Sequence, residues 1–189
     1  TFKHAAGSGS VTSMTFRTHI DNGAPPMLVS GTSAGTLTFW NLDKNTMHAQ
    51  LGDAHANDED RVAFLVGQPV LISQGRDNAV RQWLLDNVDA SPRLLRSRQG
   101  HTAPPLAVAF YGAATLASTS DGANSENNCQ LLSGGTDRTL RLFHTARPEQ
   151  TCAFSQGVRA SDARRLNRSV ESMRLPPITQ IACAETRQR

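Results

Sequence analysis

Leu131–His144 reads LLSGGTDRTLRLFH, and two earlier stretches repeat its pattern without a gap: Leu28–Asn41 (LVSGTSAGTLTFWN) and Leu71–Leu84 (LISQGRDNAVRQWL). In each, an apolar pair leads to a serine (Ser30, Ser73, Ser133). A short turn of small and polar residues follows, then an alternating stretch that ends on an aromatic (Trp40, Trp83, Phe143). Alternation of apolar and polar residues marks a strand with one buried face. Small and polar residues between two such runs supply a tight turn. Each copy therefore predicts two strands joined by a turn, and copies at a fixed offset predict a stack of units that bury their apolar faces against one another.

The offset identifies the stack. Trp40 and Trp83 stand 43 residues apart, inside the ~40–45-residue period of WD40 repeats, in which each unit is a four-stranded propeller blade. Phe143 follows Trp83 by 60 residues, so the third unit carries an insertion, the Ser-, Asn- and Asp-rich stretch ATLASTSDGANSENNCQ over 114–130. The predicted fold class is all-β, a partial WD40 β-propeller with blades over 11–51, 62–96 and 106–154. A basic connection over 155–177, helical around 161–173, leads to the first strand of a fourth blade at 178–184. Propellers close with ~4–8 blades, so three units are expected to be part of a longer protein or of an assembly.

Bulk properties narrow the function classes. The net charge of the 189 residues is +3, too small to mark a nucleic-acid binder. Three cysteines (Cys129, Cys152, Cys183) lie in unrelated contexts with no CxxC, which predicts a reducing compartment and neither a disulfide framework nor a zinc site. The first residues, TFKHAAGSGS, have no apolar core of a signal peptide, and the longest apolar run, 62–72, is broken by Gln68 and Pro69. That run is too short to cross a bilayer, so a soluble intracellular chain with no membrane partner is expected. No phosphate-binding loop, HExxH or paired carboxylates in an apolar setting occur, and Asp58-Glu59-Asp60 reads as a solvated loop tip. No metal, cofactor or small-molecule substrate is expected.

The repeat does carry one constellation of reactive side chains. The second unit contains His55, Ser73, Asp77 and Trp83; the third contains His101, Ser133, Asp137 and Phe143. A Ser, a His and an Asp invite a nucleophilic-triad reading. A hydrolytic serine needs a strained, exposed turn and an oxyanion hole, whereas Ser73 and Ser133 sit behind apolar pairs in strands. Recurrence in successive units fits a buried hydrogen-bond network better, with the histidine bonded to the aspartate of the turn and the serine and indole extending the chain of bonds. The network thins in places: the third unit has Phe143 in place of the tryptophan. The first keeps Ser30 and Trp40, has Ala34 in the aspartate's place, and offers only His4 for the histidine.

A narrower resemblance rests on four stretches: VLISQGRDNAVRQWLLDNVDASPRLLRSR from Val70, GHTAPPLAVAFYG from Gly100, LLSGGTDRTLRLFHT from Leu131, and RLPPITQIACAE from Arg174. Their order resembles the tandem-propeller WD-repeat proteins of the small-subunit processome, components of the U3 small nucleolar RNP, over roughly residues 62–112 and 131–185. The resemblance implies a nucleolar, non-enzymatic scaffold in small-subunit assembly and rRNA processing, with other processome proteins as partners and phosphates of pre-rRNA or snoRNA as possible contacts. The alternative is a general WD40 interaction adaptor, such as a ubiquitin-ligase substrate receptor.

From Arg159 to Arg189 seven arginines stand against Asp162, Glu171 and Glu185. In a WD blade the loop leading in and the tight turn share one rim, which would gather Arg76, Arg138, Arg159, Arg164, Arg165, Arg168 and Arg174 as the candidate partner- or RNA-binding face. The other reading makes them solvated or paired with neighbouring loops, where exposed pairs contribute little.

Overall fold

The computed structural model describes residues 2–4, 7, 9–17, 25–56, 59–65, 69–85, 91–111, 130–144, 150–155 and 176–182. Among the described residues every regular element is a strand, in three antiparallel four-stranded sheets. The first sheet runs β1 (Val11–Phe16), β2 (Met27–Thr32), β3 (Leu37–Asn41), β4 (Thr46–Leu51). The second runs β5 (Glu59–Phe64), β6 (Val70–Gly75), β7 (Val80–Leu84), β8 (Arg93–Arg98), and the third β9 (Pro105–Tyr111), β10 (Gln130–Gly135), β11 (Thr139–His144), β12 (Gln150–Ser155). In each sheet the strands lie side by side in chain order.

Register explains which side chains meet. Leu71 lies opposite Trp83 on one side and Phe64 on the other, and Ser73 opposite Arg81 and Val62. Directly opposite residues share a face, so these six face the first sheet, where Met27, Val29, Leu37 and Phe39 complete a buried cluster with them. One residue along, the face reverses. Ile72 and Val80 meet Leu131, Phe143, Val108 and Phe110 of the third sheet. Two polar ties reinforce that second seam: Gln74 Nε2 donates to the Pro105 carbonyl at 3.2 Å, and Arg98 reaches across to the His144 carbonyl.

Local chemistry fixes the shape of each sheet. In the first two sheets the central hairpin closes with an N–H to carbonyl bond across three loop residues, from Thr32 to Thr36 at 3.1 Å and from Gly75 to Ala79 at 3.3 Å. The third loop residue is left-handed in all three sheets: Gly35 (φ 72), Asn78 (φ 62) and Arg138 (φ 62). This is the three-residue hairpin loop that ends on a left-handed residue. Each outer strand also carries a register shift opposite the aromatic of the inner neighbour, at Phe39/Trp40, Gln82/Trp83 and Leu142/Phe143. The register skips His48, Leu95 and Thr151 there, and they form matched bulges.

The expected first strand of a further blade at 178–184 falls only in part within the described residues. Residues 176–182 form no strand. A strand requires a ladder partner, and what these residues find is the rim of the third sheet. Ile178 N–H donates to the Gly135 carbonyl at 3.2 Å, and Ile178 and Ile181 pack so closely over Gly134 that a Cβ there would lie 2.5 Å from Ile178 Cγ2. The second sheet also begins earlier than its apolar residues suggest, at Glu59, and runs on to Arg98. The expected helix around 161–173 lies outside the described residues, as does the insertion up to residue 129.

The first sheet's other face is open to solvent, with Met14 65%, Phe16 60% and Met47 52% exposed. Its Trp40 is nonetheless buried, because Phe2 and His4 lie on it with ring centroids 5.0 and 5.2 Å away. This asymmetry gives an expected outcome in urea unfolding of this chain. Phe39→Ala lowers stability by about 3–5 kcal/mol, since it empties the seam between two sheets, whereas Phe16→Ala stays within about 0.5 kcal/mol. Equal losses would contradict the packing.

Candidate functional site

The serine of each central strand is the fixed point of the site. In the second sheet the loop after β4 brings His55 over the start of the hairpin. Its Nε2 lies 2.7 Å from Ser73 Oγ and its Nδ1 2.9 Å from Asp77 Oδ1. Trp83 Nε1 donates to the same Ser73 Oγ at 2.8 Å. Since a carboxylate only accepts, His55 donates from Nδ1 and its Nε2 accepts the Ser73 proton, leaving the serine's lone pairs for the indole. The backbone joins in: Ala56 N–H donates to Asp77 Oδ2 at 3.3 Å and Ala79 N–H to Oδ1 at 3.2 Å. Arg81, one strand turn on, pairs with Asp77 Oδ2 at 3.0 Å and also reaches the Ala54 carbonyl.

The third sheet repeats the arrangement from different elements. His101 Nε2 lies 2.7 Å from Ser133 Oγ, and its Nδ1 2.9 Å from Asp137 Oδ2. Thr102 N–H donates to Oδ2 at 3.0 Å, while Thr139 donates to Oδ1 through its N–H at 3.0 Å and its hydroxyl at 2.8 Å. Phe143 supplies no indole donor. Its ring instead lies under the Arg98 guanidinium, 5.3 Å from the centroid. Burial, with the charge of Arg96 behind it, pushes Arg98 down to about 10. The close approach of His55 dictates a glycine beneath it, since a Cβ at Gly75 would sit 2.5 Å from the ring; at Gly135 a Cβ would first meet the Pro104 carbonyl oxygen at 2.9 Å, with His101 Nδ1 at 3.2 Å.

The electrostatics run one way in both units. Burial holds His55 and His101 below the ordinary histidine value of 6.5, against the pull of Asp77 and Asp137. Burial alone would raise Asp77, but the bond and charge of His55, the Ala56 N–H and the Arg81 charge together hold it below 3.8. Asp137 is held below that value in the same way, by Thr139, Thr102 and His101 against its burial. The histidines are therefore neutral and the aspartates ionised in the neutral range.

Two of the units thus contain a Ser-His-Asp array with the distances of a nucleophilic triad. Access decides against that chemistry: Ser73 and Ser133 are both 0% exposed. No acyl group can reach either oxygen, and Ser73 Oγ already accepts from an indole. These bonds satisfy polar groups that would otherwise be buried at a cost of about 1–3 kcal/mol each. Among the described residues no group of three or more His, Cys, Asp or Glu side chains could hold a metal.

The first unit reaches the same end without a carboxylate. His4 does take the histidine's place, with Nε2 3.2 Å from Ser30 Oγ and Nδ1 3.4 Å from Thr38 Oγ1, while Trp40 Nε1 donates to Ser30 Oγ at 2.8 Å. Thr38 stands where the other units carry Arg81 and Arg141. With Ala34 in the aspartate's place, the loop's backbone is tied by Ser33 instead, whose Oγ accepts from Ser10 N–H at 2.9 Å. The missing acid and the missing arginine go together.

Sequence reasoning named the histidines, serines, aspartates and Trp83 but passed over Arg81, Arg141, Thr139 and Arg98. Arg81 and Arg141 stand at the same offset from Asp77 and Asp137 and could have been read from the repeat; Thr139 has Ala79 at its place in the second unit, and Arg98 could not be read because its contact crosses between sheets. Arg76 and Arg138 lie in corresponding turns, Arg76 exposed and Arg138 half-buried. Arg159, Arg164, Arg165, Arg168 and Arg174 lie outside the described residues.

Two outcomes follow from the network. Asp77→Ala strands His55 and the Ala56 N–H, so it costs on the order of 1–3 kcal/mol. Ala34→Ser, beside a turn that Ser33 already serves, stays within about 0.5 kcal/mol; thermal melting separates the two. The pH dependence has a definite sign. For each histidine the unfolded chain takes up its proton at 6.5 and the folded chain only below that, so stability is level above that value and declines as pH falls through it. The aspartates, lowered from 3.8, extend the decline into acid. A melting temperature that rises between pH 7 and pH 5 would contradict this.

Comparison with known proteins reaches the same fold. No family model matches the chain. It is 36% identical over 181 residues to "U3 small nucleolar RNA-associated protein 21 homolog" of Schizosaccharomyces pombe, a match covering 96% of this chain. It is 32% identical over 184 residues to "WD repeat-containing protein 36" of Homo sapiens, covering 95%, and 30% identical over 190 residues to "U3 small nucleolar RNA-associated protein 21" of Saccharomyces cerevisiae, covering 94%. The chain spans 18% of the length of each of these relatives. Among solved structures, the RRP9 WD40 repeats superpose with a TM-score of 0.61 at 14% identity over 81% of this chain and 41% of that one. The computationally designed Ika4 protein superposes with 0.57 at 18% identity over 79% and 74%. Three four-stranded sheets, the repeated histidine–serine–aspartate network and these matches agree: the chain belongs to the WD40-repeat β-propellers, as part of one, and along nearly its whole length it is a homologue of the U3 small nucleolar RNA-associated protein 21 relatives.

Proposed function

We propose that this chain is part of a non-enzymatic scaffold in ribosome biogenesis, a component of the U3 small nucleolar RNP and small-subunit processome that acts in the nucleolus in processing of small-subunit rRNA. The observation that carries the reading is the match of about the same extent to three relatives, two of them named for association with U3 small nucleolar RNA. The buried state of both Ser-His-Asp arrays supports a structural role for His55, Ser73, Asp77, Trp83, His101, Ser133 and Asp137. On this reading the blades 11–51, 62–96 and 106–154 are one arc of a longer protein's ring, with 155–177 a connection to the blade that begins at 178–184.

Partners dock, on this proposal, on the rim formed by the hairpin turns and the loops beside them. Arg76 and Arg138 stand there, and the basic connection with Arg159, Arg164, Arg165, Arg168 and Arg174 joins the same face. Other processome proteins are the expected partners, with pre-rRNA or snoRNA phosphates as the second possibility for the arginines.

The test is affinity purification of the full-length tagged protein, with the eluate probed for U3 RNA and unprocessed small-subunit rRNA. Both are expected in strong enrichment, and absence of both from a soluble, folded protein would leave a WD40 interaction adaptor of another kind. Charge reversal of Arg164, Arg165 and Arg168 together is expected to reduce that enrichment, while unchanged enrichment would remove the connection from the docking face.

A further inference from the structure

The two seams between sheets are built at matched positions from different side chains. Towards the first seam the first sheet presents Val29, Gly31, Leu37 and Phe39, with Ala49 and Leu51 of β4 opposite Phe39 and Leu37. Towards the second seam the second sheet presents Ile72, Gln74, Val80 and Gln82 at the same places, with Arg96 and Arg98 of β8 opposite Gln82 and Val80. Gly31, Phe39, Ala49 and Leu51 therefore give way to Gln74, Gln82, Arg96 and Arg98. The two glutamines are as deeply buried as the apolar residues they replace, at 0% and 1% exposed. The facing strands differ in the same sense. Val62 and Phe64, opposite Ser73 and Leu71, are buried in the first seam, whereas Val108 and Phe110, opposite Ser133 and Leu131, stay half-buried in the second.

Each glutamine uses only one end of its amide. Gln74 donates through Nε2 to the Pro105 carbonyl at 3.2 Å, and Gln82 accepts through Oε1 from Arg98 at 3.1 Å. The other ends, Gln74 Oε1 and Gln82 Nε2, are buried without a hydrogen-bond partner. Turning either amide over would set oxygen against the Pro105 carbonyl or N–H against the guanidinium, so the unpaired ends are fixed. Opening has opposite effects on the two kinds of seam. Exposed apolar area costs free energy in proportion to its extent, and the first seam has little else to lose. In the second, water takes over the bonds already made at small net loss and satisfies the two amide ends that the closed seam leaves unpaired. We propose that the seam between the second and third sheets is the compliant joint of this arc: the two sheets part there, each intact, while the first seam stays closed. The ties from Gln74 to Pro105 and from Arg98 to the His144 carbonyl set the register in which the sheets close again. A load placed on the rim by any bound partner is then taken up between these two sheets, and the inference does not depend on the scaffold reading.

The experiment compares thiol trapping in the two seams of the full-length tagged protein. Val29 and Val80 are 0% and 1% exposed, Leu37 and Leu131 both 0%, and each pair places one residue in the first seam and one in the second. Val29→Cys, Val80→Cys, Leu37→Cys and Leu131→Cys are made singly, so that within each pair the same side chain is lost. N-ethylmaleimide is applied under native conditions and its uptake is followed peptide by peptide by mass spectrometry, which keeps the native cysteines apart from the introduced one. Local opening exposes a buried thiol in proportion to the population of the open form. Val80→Cys and Leu131→Cys are expected to react about tenfold or more faster than Val29→Cys and Leu37→Cys. Four similar rates would mean that the seams open only with the whole fold. Faster reaction in the first seam would place the joint there. A fast Leu131→Cys beside a slow Val80→Cys would mean that the third sheet frays by itself. Each of these three results overturns the proposal. The U3 RNA content of the preparation has no bearing on the rates, so failure of the scaffold reading and failure of the joint are told apart.

Discussion

A histidine ring buried between two sheets must find partners for both of its nitrogens, and in this protein that demand organises a loop, a strand and a turn at once. His55 is satisfied on one side by Ser73 and on the other by Asp77, and Asp77 in turn gathers the Ala56 and Ala79 N–H groups and Arg81. The loop is thereby pinned to the turn, and the turn to the strand. Because the serine side of the network faces the preceding sheet, the same bonds that close a unit also lie in the seam that joins it to its neighbour. Loss of any member leaves the others buried and unpaired, so the network behaves as a unit and not as a sum of separate bonds.

Much of this was legible in the sequence, because a repeat shows its structural rules several times over. The offset between Trp40 and Trp83 led to the blade period, and alternation around Ser30, Ser73 and Ser133 led to the strands. The edges were less legible for a physical reason. Strand pairing is set by backbone hydrogen bonds, which continue past the last apolar residue: β5 starts in the acidic residues at Glu59, and β8 continues to Arg98. Conversely, Ile178–Ala182 has the composition of a strand, yet composition cannot supply the neighbouring ladder that a strand needs.

The site divides along the same line. His55, Ser73, Asp77, His101, Ser133 and Asp137 could be read because they recur at fixed offsets. The first unit could not be read so simply, because it satisfies the same geometry with different atoms. Ser33 takes over the tie to the loop, Thr38 takes over the second histidine nitrogen, and His4 approaches from a differently spaced segment. Contacts between units, such as Arg98 over Phe143, leave no periodic trace at all. A repeat reports what each copy needs from itself more clearly than what it needs from its neighbours.

The matched bulges at His48, Leu95 and Thr151 have a consequence for how such a particle lives among others. An outermost strand with an unbroken row of free N–H and C=O groups is a template on which any extended chain can polymerise. Here each outer ladder changes phase partway along, so an incoming strand in register with one half is out of register with the other. Leu94 and Leu95 can remain exposed, at 50% and 43%, on a strand that cannot be extended cleanly. The sides of the blades are thus made poor at self-recognition, which leaves recognition to the rims.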